Sequence, residues 1–116
     1  MSEVYEDITV GDYKSRFKDD DTPHLLLDVR TVEEFEEVRI PGAVNIPLDE
    51  LSERISDVTA SAGDNPIVVV CRSGMRSIMG AQILRYGGLK DQEILNLDTG
   101  TVGWVKQKLP TEDGPA

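Results

Sequence analysis

The chain has 116 residues, 39% of them apolar, and 22 acidic against 12 basic side chains give it a formal charge of −10. That length suits one domain with a proper core and is too short for two. So acidic a surface disfavours nucleic acid and anionic membranes as partners, and no stretch approaches the ~20 apolar residues of a membrane span. One cysteine and one histidine cannot form a disulfide within the chain and fall short of a zinc or iron–sulfur site, so neither metal nor cofactor is expected. A lone thiol agrees with a reducing, cytoplasmic setting. The acidic opening, Met1-Ser2-Glu3-Val4-Tyr5-Glu6-Asp7, has neither the basic nor the apolar region of a signal peptide.

In chain order, Tyr5 to Ile8 reads as a short strand. Thr9, with an acidic residue three positions on, reads as a helix cap, and Val10, Tyr13 and Phe17 share one helical face as far as about Phe17. His24 stands at a loop-to-strand boundary, where nothing marks it as a catalytic base. Leu25 to Val29 is a buried strand. Thr31-Val32-Glu33-Glu34 fits a capping box, so a short helix starts at Val32 and turns Phe35 inward. Arg30 and Glu34, four residues apart, are placed to pair near that helix start. Asp28 and Arg30 are read as braces for loops at the sheet's carboxyl edge.

Ile40-Pro41-Gly42-Ala43 is a turn, and Val44-Asn45-Ile46 is a short strand closed by Pro47. Leu48, Leu51, Ile55 and Val58 recur at helical spacing and predict one helix from about Asp49 to Val58. After Gly63-Asp64-Asn65-Pro66 comes Ile67-Val68-Val69-Val70, a strand apolar on both faces, as in the centre of a parallel sheet. A helix carrying Ile78, Ala81 and Leu84 follows and stops at Gly87-Gly88. Residues 93–97 form a last strand. Val102, Trp104, Val105 and Leu109 line a closing helix, and residues 111–116 read as a loose tail. Strands alternate with helices throughout, which predicts an α/β fold with a mainly parallel sheet.

The chemistry gathers between the central strand and the helix after it, at Cys71-Arg72-Ser73-Gly74-Met75-Arg76-Ser77. Ligands bind at the carboxyl ends of strands in open α/β sheets, and the N–H groups of a short loop entering a helix can all point inward at an anion. A thiol there ionises more easily than its free value of ~8.5. Arg72 and Arg76 add positive charge, and Gly74 lets the backbone turn. An inert core cysteine would not be walled by two arginines, a glycine and two serines.

With these residues in view, the chain resembles a single-domain rhodanese, a sulfurtransferase, over about Ile8 to Pro110. Four signatures carry the resemblance: Leu27-Asp28-Val29-Arg30 followed by Glu33-Glu34-Phe35; Ile40 to Pro47; the Cys71 to Ser77 loop; and Leu97, Gly100, Trp104, Leu109 and Pro110. The resemblance implies a central five-stranded, mainly parallel sheet with helices on both faces, forming one domain. It also implies that the Cys71 thiolate takes sulfur from thiosulfate or a persulfide and hands it to cyanide, a thiol or a carrier protein. Arg76 would bind the anionic donor, Arg72 would add field at the mouth, and Ser73, Gly74, Met75 and Ser77 would complete the cradle. Two positions depart from the family pattern: Val38-Arg39 stands where Gly-His is usual, and Thr99-Gly100 where Gly-Gly is usual. A persulfide carrier in a sulfur relay, a phosphatase or arsenate reductase on a related fold, and a catalytically silent regulatory module remain as alternatives. The loop's length speaks against the phosphatase and Cys71 itself against the silent module.

The acidic residues lie in small groups along the chain, such as Asp19-Asp20-Asp21 and Glu33-Glu34, and lysine is scarce, with five against seven arginines. This reads either as an ordinary solvated surface or as adaptation to high salt. In the second case salt should stabilise the fold, because the Debye length falls from ~10 Å at 0.1 M to ~3 Å at 1 M and screens like-charge repulsion. The melting temperature is then expected to rise steeply between about 0.1 and about 2 M KCl, whereas a flat or falling curve would leave only the ordinary surface.

Overall fold

The structure, a computed structural model, describes residues 4–116. Met1, Ser2 and Glu3 of the acidic opening lie outside the described residues. Strands β1 (Glu6–Ile8), β2 (Leu25–Asp28), β3 (Val44–Asn45), β4 (Ile67–Val70) and β5 (Ile94–Leu97) alternate with helices α1 (Val10–Tyr13), α2 (Val32–Glu37), α3 (Leu48–Leu51), α4 (Ile55–Ala62), α5 (Arg76–Tyr86) and α6 (Gly100–Lys106). The five strands form one wholly parallel sheet in the order β1-β5-β4-β2-β3. The most apolar strand, β4, therefore sits in the middle, with every residue at 0% exposure.

Side chains alternate across the pleat, so each strand feeds two cores. One face carries Leu25, Leu27, Val29, Val69 and Cys71 against Leu51, Val58, Ala81 and Leu84 of α3, α4 and α5. The opposite face carries Leu26, Val68, Val70, Leu95 and Leu97 against Val10, Tyr13, Phe17 and Trp104. Among the described residues, no helix is long and apolar enough to cross a membrane.

Four elements differ from expectation, the briefest being the closing helix, which ends at Lys106 and leaves out Leu109. The first helix is α-helical only to Tyr13 and then widens into a π-helical stretch, Lys14–Asp19. Thr9 caps its start as expected, and Val10, Tyr13 and Phe17 are all buried. The single helix expected over 49–58 is two, α3 and α4, broken at Ser52 to Arg54. Neither glycine nor proline marks the break. Leu51 and Val58, on either side of it, are both at 0% exposure, and Arg54 ties the two helices by donating to Glu50 (3.2 Å) and Asp57 (2.9 Å).

The tail is not loose. Glu112 pairs with Arg39 through reciprocal backbone hydrogen bonds of 2.9 and 3.0 Å, and Gly114 N donates to Glu36 O at 2.8 Å. The Arg39 guanidinium lies 4.6 Å from the Phe35 ring centroid and donates to Phe35 O and Gly114 O. The arginine that departs from the family pattern is thus the tail's anchor, supplying donors to carbonyls beyond the end of α2.

The Thr99 departure has a steric counterpart. Thr99 has φ −101° and ψ −1°, a conformation open to any residue, so glycine is not needed there. Gly100 is needed: its φ is +62°, and a Cβ would lie 2.5 Å from Arg72 O and 2.6 Å from Cys71 O. One turn on, a Cβ at Gly103 would lie 1.9 Å from Thr99 Oγ1 and 2.4 Å from Thr99 Cβ. Rotating Thr99 relieves the first clash but not the second. Gly103→Ala should therefore cost about 1–3 kcal/mol by overpacking, and most of that cost should vanish in a Thr99→Gly background. Urea unfolding of the four proteins measures it; equal penalties in both backgrounds would mean that Thr99 is not the obstacle.

Candidate active site

Cys71 follows the last residue of β4 and is buried, at 1% exposure. Between it and the first residue of α5, Arg76, the chain makes a tight loop around the sulfur. Two close backbone approaches shape this loop. Gly74 has φ +102°, and a Cβ there would fall 2.1 Å from the carbonyl oxygen of Asp98. On the other side, Thr101 N and Oγ1 donate to Cys71 O (2.9 and 3.2 Å), and Val102 N donates to Arg72 O at 3.0 Å. The start of α6 thus takes up the loop's carbonyls from outside and leaves its N–H groups to face the sulfur.

Gly74 N donates to Cys71 Sγ at 3.1 Å, and Ser77 Oγ lies 3.4 Å from the same sulfur. Burial pushes the thiol up. The N–H groups of Ser77, Gly74 and Ser73 act the other way, and the thiol lies below its ordinary value. Of the remaining loop residues, Arg72 and Ser73 are exposed, and Met75 stands 73% exposed beside the sulfur loop.

The two arginines expected near a substrate behave differently. Arg76, expected to bind the anionic donor, is held by a two-pronged ion pair to Glu34, with Nη1 and Nη2 at 2.7 and 2.8 Å from the two carboxylate oxygens. That pair holds Glu34 down at about 2. Glu34 also completes the capping box with Thr31 and so fastens α2 to the sulfur loop. The pairing expected between Arg30 and Glu34 does not form between their side-chain charges. Arg30 instead donates to both oxygens of Asp28, the shortest contact being 2.7 Å, and to the carbonyls of Val38 (2.7 Å) and Glu34 (3.3 Å). With Asp28 and Arg30 at 0% and 3% exposure, this is a buried pair whose spare donors go to backbone oxygens, as a brace requires. Arg72 is exposed at the loop's edge. On the α6 side it lines a cavity of about 290 Å³ with Arg30, Glu34, Thr101, Val102 and Lys106.

Several residues here escaped the sequence reading. Asn96, 2% exposed in β5, accepts a hydrogen bond from Ser77 Oγ, and only its polarity among Ile94, Leu95 and Leu97 signalled it. Asp98 presses its backbone on Gly74 and keeps one carboxylate oxygen buried without a hydrogen-bond partner among the described residues. Lys106 reaches the cavity from the last turn of α6. His24 bonds to Tyr13 Oη and Thr22 O, both at 2.8 Å, away from the loop.

Comparison with known proteins agrees with this geometry. The rhodanese-like domain family matches residues 9–107. A sulfurtransferase of Allochromatium vinosum is 34% identical over 86 residues, covering 74% of this chain and 76% of its own. A putative sulfur carrier protein of Bacillus subtilis is 33% identical over 99 residues, 85% of this chain and 50% of its own. The solved thiosulfate sulfurtransferase of Pseudomonas aeruginosa superposes with a TM-score of 0.83 at 25% identity, over 97% of this chain and 21% of that one. The chain spans half or less of the length of several curated relatives that it matches. With the five-stranded parallel sheet, the thiol loop between β4 and α5 and a family match that runs through all of them, the chain belongs to the rhodanese-like domain family.

Proposed function

We propose that the chain is a sulfurtransferase that carries one sulfane sulfur on Cys71. The observation that carries this reading is the buried sulfur of the chain's one cysteine, facing the Gly74 N–H at 3.1 Å inside a loop that favours its anion. In the first half-reaction the Cys71 thiolate attacks the outer sulfur of thiosulfate. An S–S bond forms to Cys71, the bond to the sulfonate sulfur breaks, and sulfite leaves with the electron pair. In the second, cyanide or a thiolate attacks the outer sulfur of the persulfide and restores the Cys71 thiolate. A protein persulfide can replace thiosulfate as donor. The loop N–H groups stabilise the anion at each stage. The exposed Arg72, with Lys106 across the cavity, draws the anionic donor in. Arg76, fastened to Glu34, contributes fixed positive charge beside the sulfur.

A second reading, a persulfide carrier that exchanges sulfur only with other proteins, is favoured by one feature. Met75 stands 73% exposed next to the thiol and Met79, one turn on, 54% exposed, a flexible apolar contact of the kind protein partners use. The likeness to the Bacillus putative sulfur carrier points the same way. With no second cysteine in the chain, the sulfur must in either case pass to another molecule. The reducing cytoplasm is the proposed setting.

Incubation with thiosulfate should add the mass of one sulfur atom to the intact protein. Cys71→Ser should fold, take up no sulfur and lose all transfer to cyanide; retained turnover in that variant would sink the mechanism. Loading by a protein persulfide but not by thiosulfate would select the carrier reading.

The loop also separates sulfur from phosphate chemistry. Four residues lie between Cys71 and Arg76, against five between the matching residues of cysteine phosphatases, and Arg76 is already paired. Hydrolysis of p-nitrophenyl phosphate should be negligible beside sulfur transfer. Comparable rates of the two reactions would overturn the loop-size argument.

A further inference from the structure

A line of polar groups stands behind Cys71. Asp7 in β1 and Asn96 in β5 are partners in register, so their side chains share one face of the sheet. Asn96 is buried, and a buried amide must be paired. Its Nδ2 donates to Asp7 Oδ1 at 2.9 Å and to Gly74 O at 3.4 Å. Its Oδ1 accepts from Ser77 Oγ, which itself lies 3.4 Å from Cys71 Sγ.

Counting hydrogens fixes the direction of this chain. A carboxylate and a backbone carbonyl only accept, so both require the NH₂ side of Asn96, and the amide cannot turn round. Its oxygen therefore faces Ser77. The Ser77 hydroxyl has one hydrogen to give, and Asn96 takes it. The sulfur then meets the lone pairs of Ser77 Oγ, which suit a thiol S–H and not a thiolate. When Cys71 ionises, the loop N–H groups still serve it. The Ser77 hydrogen reaches it only by swinging off Asn96 and leaving a buried oxygen unpaired.

We propose that Asp7 is a positioning residue for Cys71: by holding the Asn96 amide in one orientation it directs the Ser77 hydroxyl away from the sulfur. The consequence is a restraint on ionisation. A thiolate stabilised too far is a poorer nucleophile, and the optimum thiol ionises near ambient pH. Asp7 is exposed, so a surface carboxylate outside the sulfur loop sets the hydrogen bonding of a buried thiol through two side chains.

The proposal rests on the reading of Cys71 as a reactive thiol, and its test needs no sulfur substrate. The chain has one cysteine, so the pH dependence of its alkylation by iodoacetamide reports Cys71 alone. In Asp7→Ala, only the long 3.4 Å bond to Gly74 O still favours the present orientation, so the amide can turn its NH₂ to Ser77, whose hydrogen then goes to the sulfur. The midpoint should fall by about one pH unit. Asp7→Asn removes the same charge but keeps an acceptor at the same place, and should titrate like the unaltered protein. The other charged groups around the sulfur, which are the Arg76–Glu34 pair, Arg72, the Asp28–Arg30 pair and Asp98, are the same in all three proteins. Asn96→Leu removes the competitor outright and should lower the midpoint as well; if it does not fold, the two Asp7 variants decide. An unshifted or raised midpoint in Asp7→Ala overturns the proposal. So does an equal fall in Asp7→Ala and Asp7→Asn, since charge alone would then account for it. Failure of thiosulfate to load Cys71 would count against the proposed function and leave the alkylation result standing.

Discussion

The thiol loop depends on backbone packed against backbone with no room for a side chain. Gly74 lies against the Asp98 carbonyl and Gly100 against the carbonyls of Cys71 and Arg72, each closer than any Cβ permits. These approaches let the N–H groups of Thr101 and Val102 take the Cys71 and Arg72 carbonyls, while the N–H groups of Ser73 and Gly74 face the sulfur. A peptide unit has its N–H and C=O on opposite sides, so satisfying one side outside orients the other inside. The sheet supplies the frame: β4 and β5 are adjacent and parallel, which brings the loop after one strand beside the loop after the other.

Around this frame, charges are used mainly in pairs. Asp28–Arg30 is buried and braces the end of α2 through the Val38 carbonyl. Arg76–Glu34 links α2 to α5 across the mouth. Because its folded value is depressed from 4.5 to about 2, Glu34 contributes stability above its ordinary range and loses it as pH falls through that interval. Arg39 ties the tail to α2. Among the described residues, Arg72 and Lys106 are the cavity's cations without a carboxylate partner. The acidic helix α2 brings Glu34 and Glu37 to the same cavity, which gives it both signs of charge.

Much of this was legible in residue order, for local reasons. A four-residue apolar run, a lone cysteine and a helix start with glycine between them place a thiol at a strand end without knowledge of the rest. The Thr31 capping box and the Thr9 cap involve only residues three apart. Helix continuity was less legible. Leu48, Leu51, Ile55 and Val58 fit one helix by spacing, yet burial of Leu51 and Val58 is met by two helices with a break that no residue announces. The tail looked polar and therefore loose, but Arg39, some seventy residues earlier, supplies the donors that hold it.

What the chain's order determined by itself is the alternation of strands and helices and the place of the one thiol at a strand end, because strand and helix periodicity, caps and turns act over a few residues. What only the tertiary structure decided is which partner each charged or polar side chain takes. Arg76 meets Glu34, forty-two positions earlier, and Asn96 joins Asp7 to Ser77 across two strands and a helix. Arg30 turns to Asp28 while the Glu34 carboxylate goes to Arg76. Such choices depend on distances of a few ångströms between segments remote in sequence, and those are set by packing the sheet and its two helical layers.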